Sequence, residues 1–141
     1  MYIYERKINY YETDKMGVVH HSNYIRFFEE ARCSLLEDFG LPYDVMESKG
    51  IMSPVLGVTC TYKNHVTFGD IIEIRTWFKE FTGVRFTVGY EICNKKTGAI
   101  CVTGESNHCF TDSNLKPLNL KKHHNDIYEK FINFKKGSGT C

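Results

Sequence analysis

The sequence predicts an α+β domain in which one long helix lies across a curved, five-stranded antiparallel sheet. Three observations carry that reading. Between Asn23 and Phe39 the apolar residues recur at spacings of three and four, which marks one broad helical face. From Val84 to Cys93 apolar and other residues alternate, as in a strand with one covered side. The segments also follow one another as strand, helix and four strands in hairpin succession. A single sheet with a single apolar helix packs most simply with the helix across the sheet.

Taken in order, Tyr2 to Tyr11 reads as the first strand, rich in β-branched and aromatic residues. Glu12 to His20 is a connection with turn chemistry. The helix over Asn23–Phe39 presents Tyr24, Phe27, Phe28, Ala31, Leu35, Leu36 and Phe39 on one side. Ser22 or Asn23 caps its start, and Gly40 followed by Pro42 ends it. Val55–Val66 and Asp70–Phe81 are the next strands, joined around Phe68-Gly69; Val84–Cys93 and Ala99–Thr111 follow, joined by the turn Asn94–Gly98. Gly89 and Gly104 sit inside strands, where glycine permits a bend or bulge. A short helix over His123–Phe134 is expected to bury Ile127, Phe131 and Phe134. Residues 1–135 then form one domain and 136–141 a tail. A sheet covered on one face keeps open edges, so assembly as a homodimer or homotetramer is expected.

Composition excludes several classes. The 141 residues carry a formal charge of +1, with no basic block to hold nucleic acid. No apolar run reaches membrane-spanning length, and the start lacks a signal-peptide core, so a cytoplasmic location is expected. The six cysteines show no CxxC and no paired spacing, which favours free thiols over disulfides or structural zinc. His65, His108, His123 and His124 lack ligand spacing, so no metal is expected. Arg26, Glu29, Glu30 and Arg32 read as solvated helix charges that pair at i,i+4.

Thr13 to Tyr24, "TDKMGVVHHSNY", gathers an acid, a glycine, two histidines, a serine and an asparagine just before the helix. As local structure, Asp14 to Gly17 fits a type I turn, and Ser22 and Asn23 serve as caps. As chemistry, a helix start leaves backbone N–H groups unpaired and carries positive partial charge. The loop Asp14–Val19 can turn its carboxylate toward the same space. An oxyanion donor facing a carboxylate that acts as nucleophile or general base suits acyl transfer or hydrolysis.

The pattern Y-x-x-T-D-x-x-G-V-V-H-H-x-N-Y-x-x-F-F-E-E-A-R, Tyr10 to Arg32, resembles the hot-dog-fold acyl-CoA thioesterases of the 4-hydroxybenzoyl-CoA thioesterase and YbgC type. "TYKNHVTFGD" (Thr61–Asp70) and "GAICVTGE" (Gly98–Glu105) are similar to the same family, so the likeness spans about residues 1–120. The resemblance implies the hot-dog fold and hydrolysis of a small or medium acyl-CoA, with coenzyme A as part of the substrate and no cofactor. It makes Asp14 the catalytic carboxylate and places the His21 backbone N–H, with its imidazole assisting, at the carbonyl oxygen. Gly17 lets the loop turn beside the substrate, while Tyr10 and Asn23 shape it and His20 adjoins it. Phosphates of coenzyme A call for cations at the cleft mouth, for which Lys63, Lys79 and Arg85 are the candidates. Relatives often carry a cation in the turn where this chain has Thr82 and Val84, so either Arg85 substitutes or the nucleotide binds differently. Three other readings stand beside this one: a dehydratase of the same fold acting on 3-hydroxyacyl thioesters, a non-catalytic acyl-CoA-binding module, and a scaffold. Glu30 is the alternative carboxylate.

Overall fold

The computed structural model describes residues 1–138. Strands β1 (Tyr2–Lys7), β2 (Val55–Tyr62), β3 (Ile71–Phe81), β4 (Arg85–Asn94) and β5 (Ile100–Cys109) form one sheet in the order β1-β3-β4-β5-β2, every neighbouring pair antiparallel. Helix α1 (Asn23–Asp38) lies against one face of it, and α2 (Tyr43–Ser48), α3 (Leu120–His123) and α4 (Asn125–Ser138) close the rest of the core. This is the predicted α+β architecture, with β1 and β2 as its two edges.

The apolar stripe of α1 does what its spacing predicts. Phe27, Ala31 and Leu35 are fully enclosed, with Tyr24, Phe28 and Leu36 beside them. They meet the inward row of the sheet, including Ile72, Ile74, Val88, Ile92 and Val102. Each such side chain contributes about 1.5–3 kcal/mol by leaving water. At the far end Phe39, Phe78, Phe81, Phe86, Phe110 and Phe131 make a block of edge-to-face and stacked rings under α4.

Several expectations need correction. The first strand ends at Lys7, not Tyr11: the Ile8 N–H turns to the Asp70 carbonyl and the Asn9 N–H to the Glu12 carboxylate, winding Tyr10–Glu12 into a 3-10 turn. The second strand stops at Tyr62, short of Val66. Helix α2, unmarked by periodicity, starts from Pro42, whose fixed φ suits a helix entry. The C-terminal helix breaks at His124 and then runs to Ser138, so residues 136–138 continue it; only 139–141 of the expected tail lie outside the described residues. Phe134 is partly buried, stacked on Phe39.

The strand glycines serve close approach instead of bulges, which fall at Val55/Gly57, Phe78/Glu80 and Ile92/Cys93. A Cβ on Gly89 would sit 2.5 Å from the Trp77 ring, and one on Gly104 would sit 2.4 Å from the Thr59 carbonyl and 2.7 Å from Phe28. Arg32 is the largest departure: it is buried, not solvated. Its Nε donates to Tyr43 Oη and its Nη1 to Tyr90 Oη, and Tyr90, Ser106 and His108 continue the chain at 2.7 Å per step. Because Arg32 only donates, Tyr90 Oη accepts from it and shares a further hydrogen bond with Ser106, as Ser106 does with His108 Nε2. The five described cysteines other than Cys141 are free, as expected.

Candidate active site

The residues from Tyr10 to Asn23 form a loop closed on itself and pinned at both ends. The Thr13 N–H and hydroxyl both donate to the Tyr10 carbonyl, at 3.1 and 2.7 Å. The Asp14 N–H donates to Val18 and the Gly17 N–H returns to Asp14, at 2.8 and 2.9 Å. That turn needs φ of +81° at position 17, a conformation natural to glycine. Val19 is buried and its N–H bonds the Val66 carbonyl at 2.8 Å, which ties the loop to the segment after β2. The loop's far end returns to its start: the His20 N–H and Asn23 Nδ2 both donate to the Glu12 carbonyl, at 2.9 and 2.8 Å.

A cleft of about 230 Å³ opens between this loop, the start of α1 and the end of β2. Asp14, His21 and Lys63 line it with Met16, Val18, Val19, Tyr24, Tyr62, Asn64 and His65. Asp14 is half-buried; its Oδ1 accepts the Met16 N–H at 2.8 Å, and among the described residues nothing else donates to this carboxylate. The His21 N–H likewise meets no acceptor among the described residues, while its carbonyl accepts from Tyr62 Oη at 3.3 Å. Ser22 stands at the N-cap position of α1 but, against expectation, neither it nor Asn23 caps the helix through its side chain: Asn23 Nδ2 donates to the Glu12 carbonyl, and the Ser22 hydroxyl and N–H both meet His20 Nδ1. That bond leaves the proton of a neutral His20 ring on Nε2. The His20 ring stacks on His21 with centroids 4.3 Å apart.

The expected site residues therefore divide. Asp14, His21 and Lys63 meet at one cleft. Gly17 and Asn23 shape its loop, and Tyr10 turns its ring outward against Phe68. Arg85 lines a separate depression with Glu80, Asn107 and His108, and Lys79 is paired with Glu105. Glu30 faces another groove beside β1, held by Tyr4 Oη and Arg6. Burial pushes the Cys33, Cys60, Cys93 and Cys101 thiols up, away from the thiolate that a cysteine nucleophile needs. Among the described residues no three His, Cys, Asp or Glu side chains gather as metal ligands, and no helix is long and apolar enough to cross a membrane.

Sequence reasoning missed Tyr62, Asn64 and His65 as cleft walls. Their signal was position, since Tyr62 ends β2 and Asn64 and His65 follow directly in the segment that leads to Val66, to which the loop is tied. It also missed Arg6 and Glu12, which lie outside the cleft but hold its loop: two Arg6 nitrogens grip the two Glu12 oxygens, each at 2.8 Å.

Comparison with known proteins agrees with the resemblance read from the motif. Residues 8–131 match the family model described as the thioesterase-like superfamily. YneP of Bacillus subtilis, whose name marks it as a candidate acyl-CoA thioesterase, is 33% identical across 94% of this chain and 96% of its own length. The acyl-CoA thioester hydrolase YbgC of Escherichia coli is 24% identical over 82% of this chain and 87% of its own. A crystal structure of a DHNA-CoA thioesterase from Staphylococcus aureus superposes with a TM-score of 0.88 at 32% identity, covering 99% of this chain and 95% of that one. Fold, loop and sequence likeness coincide over the same residues, and the chain belongs to the thioesterase-like superfamily.

Proposed function

We propose that this protein is an acyl-CoA thioesterase that hydrolyses a small or medium acyl-CoA to the free acid and coenzyme A. One observation carries the reading: Asp14 and His21 line one cleft before α1, and among the described residues one Asp14 carboxylate oxygen meets no donor and the His21 N–H meets no acceptor. The thioester carbonyl oxygen rests on that N–H, where the positive end of the helix stabilises the charge developing in the transition state. Asp14 supplies the oxygen nucleophile. In one route it takes a proton from a water that adds to the carbonyl carbon. In the other its own carboxylate adds, and water then cleaves the anhydride. Either way the C–S bond breaks, and the thiolate leaves and is protonated. Lys63 at the cleft edge suits the phosphates of coenzyme A. Arg85 would have to serve a different protomer's cleft, since it does not line this one.

The cleft also argues for a dimer. At about 230 Å³ it is smaller than common small-molecule sites, and it opens beside the β2 edge. That edge strand has one unpaired side and exposes Val55, Leu56, Val58 and Tyr62. Such an edge is a ready template for a second copy, which would wall the cleft. Ring-bearing walls (His21, Tyr24 and Tyr62) favour a second reading within the same activity, an aromatic acyl group, as the named substrate of the Staphylococcus aureus relative also suggests. A panel of aliphatic and aromatic acyl-CoAs scored for thiol release tests both. Absence of release from every member would reject hydrolysis and leave the binding module. One turnover in oxygen-18 water separates the routes: label enters the Asp14 carboxylate only if it attacks directly.

A further inference from the structure

The far end of the active loop hangs on one atom at its root, the Glu12 carbonyl oxygen, which accepts from the His20 N–H and from Asn23 Nδ2. Glu12 is itself buried, and its carboxylate is fully engaged: Arg6 Nη1 and Nη2 take one oxygen each, and the Asn9 N–H takes Oε1 at 2.8 Å. Arg6 in turn is fixed from three sides. Its guanidinium carbon lies 4.2 Å from the centre of the Phe27 ring on α1, its Nε is 3.3 Å from Glu30, and its backbone belongs to β1. This one side chain therefore joins the sheet, the central helix and the loop root.

We infer that Arg6 is a positioning residue, which by clamping the Glu12 carboxylate fixes the carbonyl from which the Asp14–His21 loop is suspended. The role rests on the thioesterase reading for its chemistry but not for its geometry. Among the described residues, the hydrogen bonds, ion pairs and ring contact of Arg6 go to Glu12, Glu30 and Phe27, none of which lines the cleft. The fork matters: two parallel N–H···O bonds set both angle and distance of the carboxylate, which a lysine ammonium cannot do. Burial works against the Arg6 charge, and the Glu12 hydrogen bond with the Glu30 and Glu12 charges more than restores it.

The test uses Arg6→Gln, Arg6→Lys and Glu12→Gln in the full chain, with Phe131→Leu as a control of comparable melting loss placed in the remote ring block. Hydrogen exchange reads the loop without any substrate. Exchange at the Asp14 and His20 amides is expected to quicken by about tenfold or more in Arg6→Gln and Glu12→Gln, with the β3 and β4 amides unchanged. Loop exchange no faster than in the Phe131→Leu control overturns the proposal. With acyl-CoA, kcat should fall by about tenfold to a hundredfold and KM by no more than about threefold, because a displaced donor and base lose the transition state more than the ground state. Arg6→Lys is expected to restore melting more completely than kcat; full recovery of kcat by lysine also overturns the fork argument. A wild-type protein that hydrolyses no acyl-CoA would reject the thioesterase reading instead, and the exchange experiment would still decide the clamp.

Discussion

Two polar constellations meet the same helix, and they are opposite in kind. Near the middle of α1, Arg32, Tyr43, Tyr90, Ser106 and His108 run through the core as a hydrogen-bonded chain, in which His108 Nδ1 is the one buried polar atom without a hydrogen-bond partner among the described residues. Just before α1, Asp14 and His21 line a cleft, and among the described residues one Asp14 oxygen and the His21 N–H have hydrogen-bonding capacity unspent. Buried polar groups must be satisfied, because an unmade bond there costs about 1–3 kcal/mol. Groups at a cleft can wait for a ligand to satisfy them. The first constellation is thus architecture and the second chemistry, and substitution should separate them cleanly.

The widest separation is expected from Asp14→Asn. It keeps the shape and the Met16 N–H contact but removes the base or nucleophile, so thiol release should fall by about a thousandfold or more while the melting temperature stays within a few degrees. Near-normal turnover in that variant would break the comparison outright. Next is a pH effect confined to the core chain. Burial first, and the Arg32 charge second, lower the His108 pKa to about 4, well below its ordinary value of about 6.5. The unfolded chain then binds a proton that the folded one refuses. His108 therefore contributes full stability above about pH 6.5, and the contribution drains away as pH falls toward 4, by on the order of 3 kcal/mol in all. Denaturant melts from pH 7.5 to 4 should show this slope, and His108→Asn should flatten it. Smaller again is Tyr90→Phe, which strips the acceptor from Arg32 and the hydrogen-bond partner from Ser106. It should cost about 2 kcal/mol in unfolding experiments and leave kcat within about twofold.

The two constellations were not equally legible. Asp14 and His21 stand in a motif before a well-patterned helix, so composition and order were enough to find them. The core chain was hidden by residue type, since arginine on a helix reads as surface. Yet position 32 lies four residues after Phe28 and four before Leu36, on the very stripe that turned out buried. The periodicity held the signal, and the charge overrode it. The sheet was legible because alternation survives in the sequence of β4 and in the burial of β3. Strand β4 itself departs from the one-sided strand expected, being buried without a break from Phe86 to Tyr90, whereas the edge strand β2 is mostly exposed and its end was set too far along. Arg6 and Glu12 left no such trace. Their pairing across a turn depends on where the first strand stops, which is decided by the Ile8–Asp70 and Asn9–Glu12 bonds and by no local propensity.

The smallest effect is expected at Tyr62, and it sharpens where the cleft is held from. Its hydroxyl reaches the His21 carbonyl at 3.3 Å, near the long limit of a useful hydrogen bond, and the ring is half exposed. The same backbone is held from below by shorter bonds, the Asn23 N–H to the His20 carbonyl at 2.9 Å and Asn23 Nδ2 to Glu12 at 2.8 Å. Tyr62→Phe keeps the ring wall against Tyr24 and removes only the upper tether. Thiol release should therefore change by no more than about threefold, against the tenfold or greater loss expected from Arg6→Gln. If the two variants lost equal activity, the loop would be suspended from β2 as much as from the Glu12 root. The division between an open cleft and a closed support beneath it would then dissolve.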